Sequence, residues 1–279
     1  MAIEWTTAAS VSFRLGKQGY DNRFVIQKFW TKLKAYLDIG ETQIVVTGHS
    51  GVGKTNLANQ MHGRARDIGY KLPSESKSVE VADIQAGNWA KLVRVLPGQD
   101  GYRTKGSIDI FQDNDSLEGV IHLVDYGYSK PRNSLHSSEM IKDGISTIEQ
   151  LRIYNLKKEL QTLSVMLTDV RRMYSNKKRP KWIIIAVNKV DLYSNDRDDA
   201  LEYYHPDGSS EFSRLLREFL LDIGSMNISI HVVQTCAYEQ DFEWNNQSVK
   251  SELQRQEQNH ILSDFMTSLA AISEGEGKV

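Results

Sequence analysis

The run Ile44-Val45-Val46-Thr47 leads without a break into Gly48-His49-Ser50-Gly51-Val52-Gly53-Lys54-Thr55, and no other stretch limits the possible folds so strongly. β-branched residues favour an extended strand. The G-x-x-x-x-G-K-T that follows is the spelling of a phosphate-cradling P-loop. Its glycines let the backbone turn tightly enough to aim several N–H groups at one anion. Lys54 adds a point charge, Thr55 offers a hydroxyl to Mg²⁺, and His49, inside the loop, is a candidate phosphate contact. Helical spacing of Leu57, Met61, Arg64 and Ile68 follows, so a helix begins at Asn56 or just before it and points its positive end at the same place.

The rest of the chain alternates strand and helix signals. Val79 to Ile84 and Trp89 to Leu96 read as two strands of a hairpin turned at Ala86-Gly87-Asn88. Gly119 to Asp125 is a buried-type strand, residues 127–147 are polar and irregular, and a long helix covers Thr147 to Asn176. Its stripe of Ile153, Leu156, Leu160, Leu163, Leu167, Val170 and Tyr174 suits packing on a sheet, or else a coiled-coil partner. Trp182 to Val187 is continuously apolar, as a parallel strand covered on both faces should be. Residues 193–210 read as a charged loop, and Phe212, Leu215, Leu216, Phe219, Leu220 and Ile223 as one face of a helix closed by Gly224. Ile228 to Val233 is the last strand, and a final helix spans about Gln247 to Ile272. Alternation of this kind predicts an α/β fold with a doubly wound, mostly parallel sheet. The expected organisation is an N-terminal extension at 1–42, a single domain at 43–272 and a frayed tail at 273–279.

Composition removes several classes of function. With a formal charge of −2, the chain has no global basic field of the kind that draws nucleic acid. Its single cysteine, Cys236, rules out an internal disulfide framework and fits a reducing, cytoplasmic location. No apolar run approaches the length of a membrane span, no signal-peptide core opens the chain, and Ala2 stands where myristoylation needs glycine. Within the extension, Arg23 to Asp38 has an apolar helical face with lysines beside it. Such a helix suits a membrane surface, although packing on the domain it precedes is the simpler reading.

Two further blocks lie at strand ends, where open α/β sheets bind their ligands. They are Asn188-Lys189-Val190-Asp191 and Thr235-Cys236-Ala237. With Gly48 to Thr55 they make the chain resemble the Ras-like and Arf-like small GTPases over roughly Gln43 to Ile272. The first block matches N-K-x-D, and the second the small hydroxyl-x-alanine motif. The choice of base follows from hydrogen bonding. An ionised aspartate only accepts, guanine presents adjacent N1–H and N2–H donors, and adenine has an acceptor at N1. The resemblance implies that Asn188 braces the loop, the Lys189 stem covers the base, Asp191 pairs with it and the Ala237 N–H reaches its oxygen.

The resemblance extends unevenly to the switch segments. Leu96-Pro97-Gly98-Gln99 falls where the family has D-x-x-G-Q, so Gly98 would meet the γ-phosphate and Gln99 would orient the attacking water. The family aspartate belongs at position 95, and this chain has Val95. Asp125, at the end of the next strand, is the other candidate for that acid. Ser76 or Ser78 stands where the first switch offers a hydroxyl to Mg²⁺. His122 and His231 lie in strands and read as core residues. The reading is a guanine-nucleotide switch using GTP or GDP with Mg²⁺, slow in hydrolysis, with Lys54 and Gln99 catalytic and a protein partner or effector. Its rivals are a non-hydrolysing GTP-dependent scaffold and a P-loop kinase or ATPase.

Overall fold

The computed structural model describes residues 43–62, 80–86, 89–97, 111, 116–131, 133–176 and 179–275. β1 (Ile44–Thr47), fully buried, lies between β3 (Trp89–Val95) and β4 (Gly119–Val124) and runs parallel to both. β2 (Glu80–Ala86) pairs antiparallel with β3, Ala86 opposite Trp89, as the hairpin reading requires. β5 (Trp182–Val187) and β6 (Ser229–Gln234) complete a sheet of order β2-β3-β1-β4-β5-β6.

Side-chain alternation along the strands feeds two cores. Ile44, Val46, Ile121, Leu123, Ile184 and Ala186 point to one face. There they meet Leu57 and Met61 of α1 (Lys54–Met61) and Phe265 and Leu269 of the last helix. Val45, Val120, Val124, Ile183, Ile185 and Val187 point to the other face. Strands buried on both sides must be apolar throughout, which is why these read as unbroken hydrophobic runs.

Four local expectations are corrected. Residues 127–147 contain α2 (Ser134–Lys142), whose cap Asn133 accepts a bond from the Leu135 N–H at 2.9 Å. The segment 193–210 contains two short 3₁₀ turns and α4 (Arg197–Tyr204), which the charged sequence concealed because only Ala200 and Tyr204 are buried. Between them in sequence, α3 (Ile148–Ser175) starts with a capping box made by Thr147 and Gln150. After α5 (Glu211–Ile223), the chain does not pass straight into the last helix. It first makes a small hairpin, β7 (Phe242–Trp244) and β8 (Gln247–Val249). Asn245 and Asn246 take positive φ of 42° and 64°, the conformation of a tight two-residue turn. The last helix, α6, is Arg255–Glu274, so it also runs past the residue at which the tail was expected to fray.

The stripe on α3 is the fourth correction. Leu163, Leu167 and Val170 are buried as expected, but Ile153 is 51% exposed. The N-terminal half of the helix buries Ile148, Leu151, Asn155 and Glu159 instead. Polar residues on the buried face broke the hydrophobic period that the sequence displays. The expected helix at 23–38 lies outside the described residues.

Candidate functional site

The loop after β1 turns on left-handed glycines. Gly48 has φ 134°, and a side chain there would meet the Leu123 carbonyl oxygen at 2.5 Å. At Gly53, φ 100°, it would meet Asn188 Nδ2 at 2.6 Å. Only glycine lets the loop lie this close to its neighbours. Lys54 is nearly buried, and its ammonium donates to the carbonyls of Gly48 at 2.9 Å and His49 at 2.8 Å, so the loop curls around its own lysine. Thr55 and Asn56 are half-buried in the first turn of α1, Ser50 is exposed at the tip and the Val52 side chain joins the core. Asn56 Oδ1 is buried without a hydrogen-bond partner among the described residues.

The end of β5 is tied to this loop by two side chains. Asn188 Nδ2 donates to the Val52 carbonyl at 2.8 Å, while its Oδ1 accepts from the Ala237 N–H at 2.9 Å. Asn188 therefore links all three blocks. Lys189, at φ 61°, donates to the Gly51 carbonyl at 2.9 Å and to Asp125 Oδ2 at 2.7 Å. Asp191 is 1% exposed. Its Oδ1 accepts from the Cys236 thiol at 3.3 Å and its Oδ2 from the Gln240 N–H at 3.2 Å. The thiol has no tendency to ionise here, because burial and the adjacent Asp191 charge push its pKa well up.

Between the loop and the two strand ends lies a pocket of about 240 Å³. Gly51, Gly53, Asn56, Asn188, Lys189, Asp191 and Ala237 line it. Thr235 and Cys236 do not: both are fully buried, and the Thr235 hydroxyl has no hydrogen-bond partner among the described residues. The small polar side chain that steadies Asp191 is Cys236, the middle residue of that block. The sequence reading also missed Lys130, Tyr238, Gln240, Asp241 and Phe242 on the far wall. The available signal was the Asn-Asn turn after Phe242, which marks a hairpin next to the last block.

Asp125 is fully buried, and its Oδ2 takes both the Lys189 ammonium and the Ser129 hydroxyl. Its Oδ1 faces His49 Nε2 at 3.6 Å. Burial alone would raise this carboxyl, but Lys189 and His49 outweigh it and hold the pKa well below the usual carboxylate range. Asp125 therefore ties the two loops together. The His49 ring is turned inward. It is buried against Asp125 and, at 3.8 Å, Glu159 of α3. Glu159 in turn accepts from the N–H groups of Asp125 at 3.1 Å and Gly127 at 3.3 Å, and from the Tyr204 hydroxyl. His122 is a core residue, sharing a 2.8 Å hydrogen bond with Thr47, whereas His231 lies half-buried on β6 beside Ser229. Val95 is buried at the end of β3. Ser76, Ser78, Gly98 and Gln99 lie outside the described residues.

A central parallel strand feeding a glycine loop, an antiparallel first hairpin strand at the edge, and the order β2-β3-β1-β4-β5-β6 make this the fold of the Ras-like and Arf-like small GTPases. No family model and no curated protein sequence matches the chain. Among solved structures it is similar to the Arl6 BBS3 small GTPase of Trypanosoma brucei with bound GppNp, at 17% identity and TM-score 0.38, covering 71% of this chain and 88% of that one. It is also similar to the signal recognition particle receptor SRb-GTP/SRX complex of Chaetomium thermophilum, at 14% identity and TM-score 0.45, covering 72% of this chain and 93% of that one.

Proposed function

We propose that this protein is a guanine-nucleotide-binding switch that takes up GTP or GDP with Mg²⁺ and hydrolyses GTP slowly, helped by a protein partner. The observation that carries the reading is Asp191. A carboxylate has about four acceptor positions, and Cys236 and Gln240 occupy two. The others are available to two adjacent donors of a base in the pocket that Asp191 lines. Guanine supplies such a pair and adenine does not. A kinase or ATPase that places adenine in this pocket would leave the two remaining acceptor positions of the buried carboxylate unfilled, which disfavours it.

The residues present suit a nucleotide with its metal. The glycine loop offers backbone N–H groups and the Lys54 charge to phosphates, and Thr55 is the residue that would hold Mg²⁺. When bound, the ion neutralises charge on the phosphate oxygens. Gln99 would position the attacking water, Gly98 would contact the γ-phosphate, and Ser76 is the proposed hydroxyl of the first switch. Among the described residues no helix is long and apolar enough to cross a membrane. A cytoplasmic site of action is proposed on the single, buried thiol. A second reading, a scaffold that binds GTP without hydrolysing it, is favoured by Val95, which has no oxygen with which to hold a metal-bound water.

The test is a calorimetric titration of the wild type and of Asp191→Asn with GTP, ATP and XTP. The wild type should prefer GTP over ATP. The variant loses two charge-assisted bonds, about 3–5 kcal/mol, and should bind GTP about two to four orders of magnitude more weakly. Xanthine has an acceptor where guanine has the N2 donor, so the variant should gain affinity for XTP. Equal wild-type affinity for ATP and GTP would refute the assignment.

A further inference from the structure

His49 of the glycine loop, Asp125 after β4 and Glu159 of α3 converge from three elements of the fold. All three side chains are buried, with one ligand-type atom from each lying within 4.8 Å of the others. We propose that this triad is a binding site for a divalent first-row transition ion, of which Zn²⁺ is the representative, separate from the Mg²⁺ that accompanies a nucleotide.

Spacing separates a metal from the simpler occupant, a proton on His49. His49 Nε2 stands 3.6 Å from Asp125 Oδ1 and 3.8 Å from Glu159 Oε1. Neither distance is a hydrogen bond, since N–H···O pairs close to about 2.7–3.2 Å. Among the described residues His49 Nε2 and Asp125 Oδ1 both remain without a hydrogen-bond partner, although each is buried. An ion centred among three atoms so spaced would lie about 2.1–2.4 Å from each, against zinc–ligand lengths of about 2.0–2.2 Å. One imidazole and two carboxylates form a donor set that suits zinc or manganese. It suits Mg²⁺ poorly, because that ion prefers oxygen and keeps its waters.

The surroundings are those of oriented ligands. Glu159 is fixed by the Asp125 and Gly127 N–H groups and the Tyr204 hydroxyl, and Asp125 by Ser129 and Lys189. Hydrogen bonds to ligating carboxylates hold them in place and strengthen a metal site. The Lys189 ammonium bonds Asp125 Oδ2, so it leaves Oδ1, the atom that faces His49, available. An ion there would join the glycine loop, the end of β4 and the middle of α3 in one bonded unit. The proposal does not depend on which nucleotide the pocket takes.

The experiment uses the full chain without nucleotide, stripped with a chelator, loaded with Zn²⁺ and separately with Co²⁺, then gel-filtered. The expected result is about one retained equivalent, a raised unfolding temperature and visible Co²⁺ bands of a low-coordinate nitrogen–oxygen site. His49→Gln and Glu159→Gln should each weaken retention at least about tenfold. His136→Ala should not, because it removes one surface histidine–carboxylate pair instead. Because a buried variant can fail to fold, the wild type decides independently. If it emerges metal-free even after refolding with zinc, the proposal is overturned. Equal retention by folded His49→Gln also overturns it, as does an NMR titration showing His49 still protonated with zinc present. Zinc retained by a protein that ignores GTP would leave this inference standing and remove the other.

Discussion

Replacing Asp125 with Asn separates a structural role for that residue from a role in holding the nucleotide's metal. The side chain keeps its shape and loses its charge. It is fully buried, and its carboxylate faces the Lys189 ammonium at 2.7 Å and His49 at 3.6 Å. Breaking a buried ion pair from one side costs about 3–5 kcal/mol, because the remaining charge is left uncompensated. Two features reduce that figure. Lys189 retains the carbonyls of Gly51 and Tyr128, and its side chain is 20% exposed. An asparagine oxygen can also still accept from it. The expected loss is therefore about 2–4 kcal/mol, and with a urea slope of about 2–3 kcal/mol/M the unfolding midpoint should fall by roughly 1 M. The assay is urea unfolding of wild type and variant in chelator without nucleotide, repeated with GTP and Mg²⁺. The loss should be present in full in chelator. An unchanged midpoint there, with a deficit only when GTP and Mg²⁺ are added, would refute the structural assignment and make Asp125 the magnesium acid.

Two further outcomes are expected. Val95→Asp puts a carboxylate at a buried strand end; it should cost the nucleotide-free protein about 1–3 kcal/mol and steepen the magnesium dependence of GTP binding, measured by nucleotide titration across Mg²⁺ concentrations. An unchanged magnesium titration in the folded variant would mean that another residue already supplies the acid. His49 gives a pH dependence: burial lowers its pKa, but Asp125 and Glu159 outweigh burial and raise it above 6.5. The folded state therefore holds the proton more tightly than the unfolded chain, so the stabilisation is complete below about pH 6.5 and is lost as pH rises through the raised value. In chelated protein, thermal unfolding between about pH 6 and 9 should show this decline for the wild type and a flatter profile for His49→Gln.

The strand that feeds Gly48, the helix that follows Lys54 and the apolar run ending at Asn188 were legible because each is a local pattern. β-branched runs, glycine spacing and helical periodicity act over fewer than about ten residues. They determined the doubly wound sheet and brought Gly51, Asn188, Asp191 and Ala237 to one pocket, since the C-terminal ends of parallel strands meet at one edge. The hairpin after Phe242 and helix α4 carried local signals too, but weak ones, outvoted by polar composition. What only the tertiary structure decided is the fate of the charges. Nothing near position 159 announces that Glu159 turns inward to meet residues 34 and 32 positions earlier in the chain. Nothing around Cys236 says that it, and not Thr235, lies against Asp191, 45 positions away. A charged side chain is stable in the interior only with partners that neutralise and hydrogen-bond it, and those partners come from distant strands and helices. Sequence order fixes which residues can be apolar together; only the assembled sheet fixes which polar groups meet.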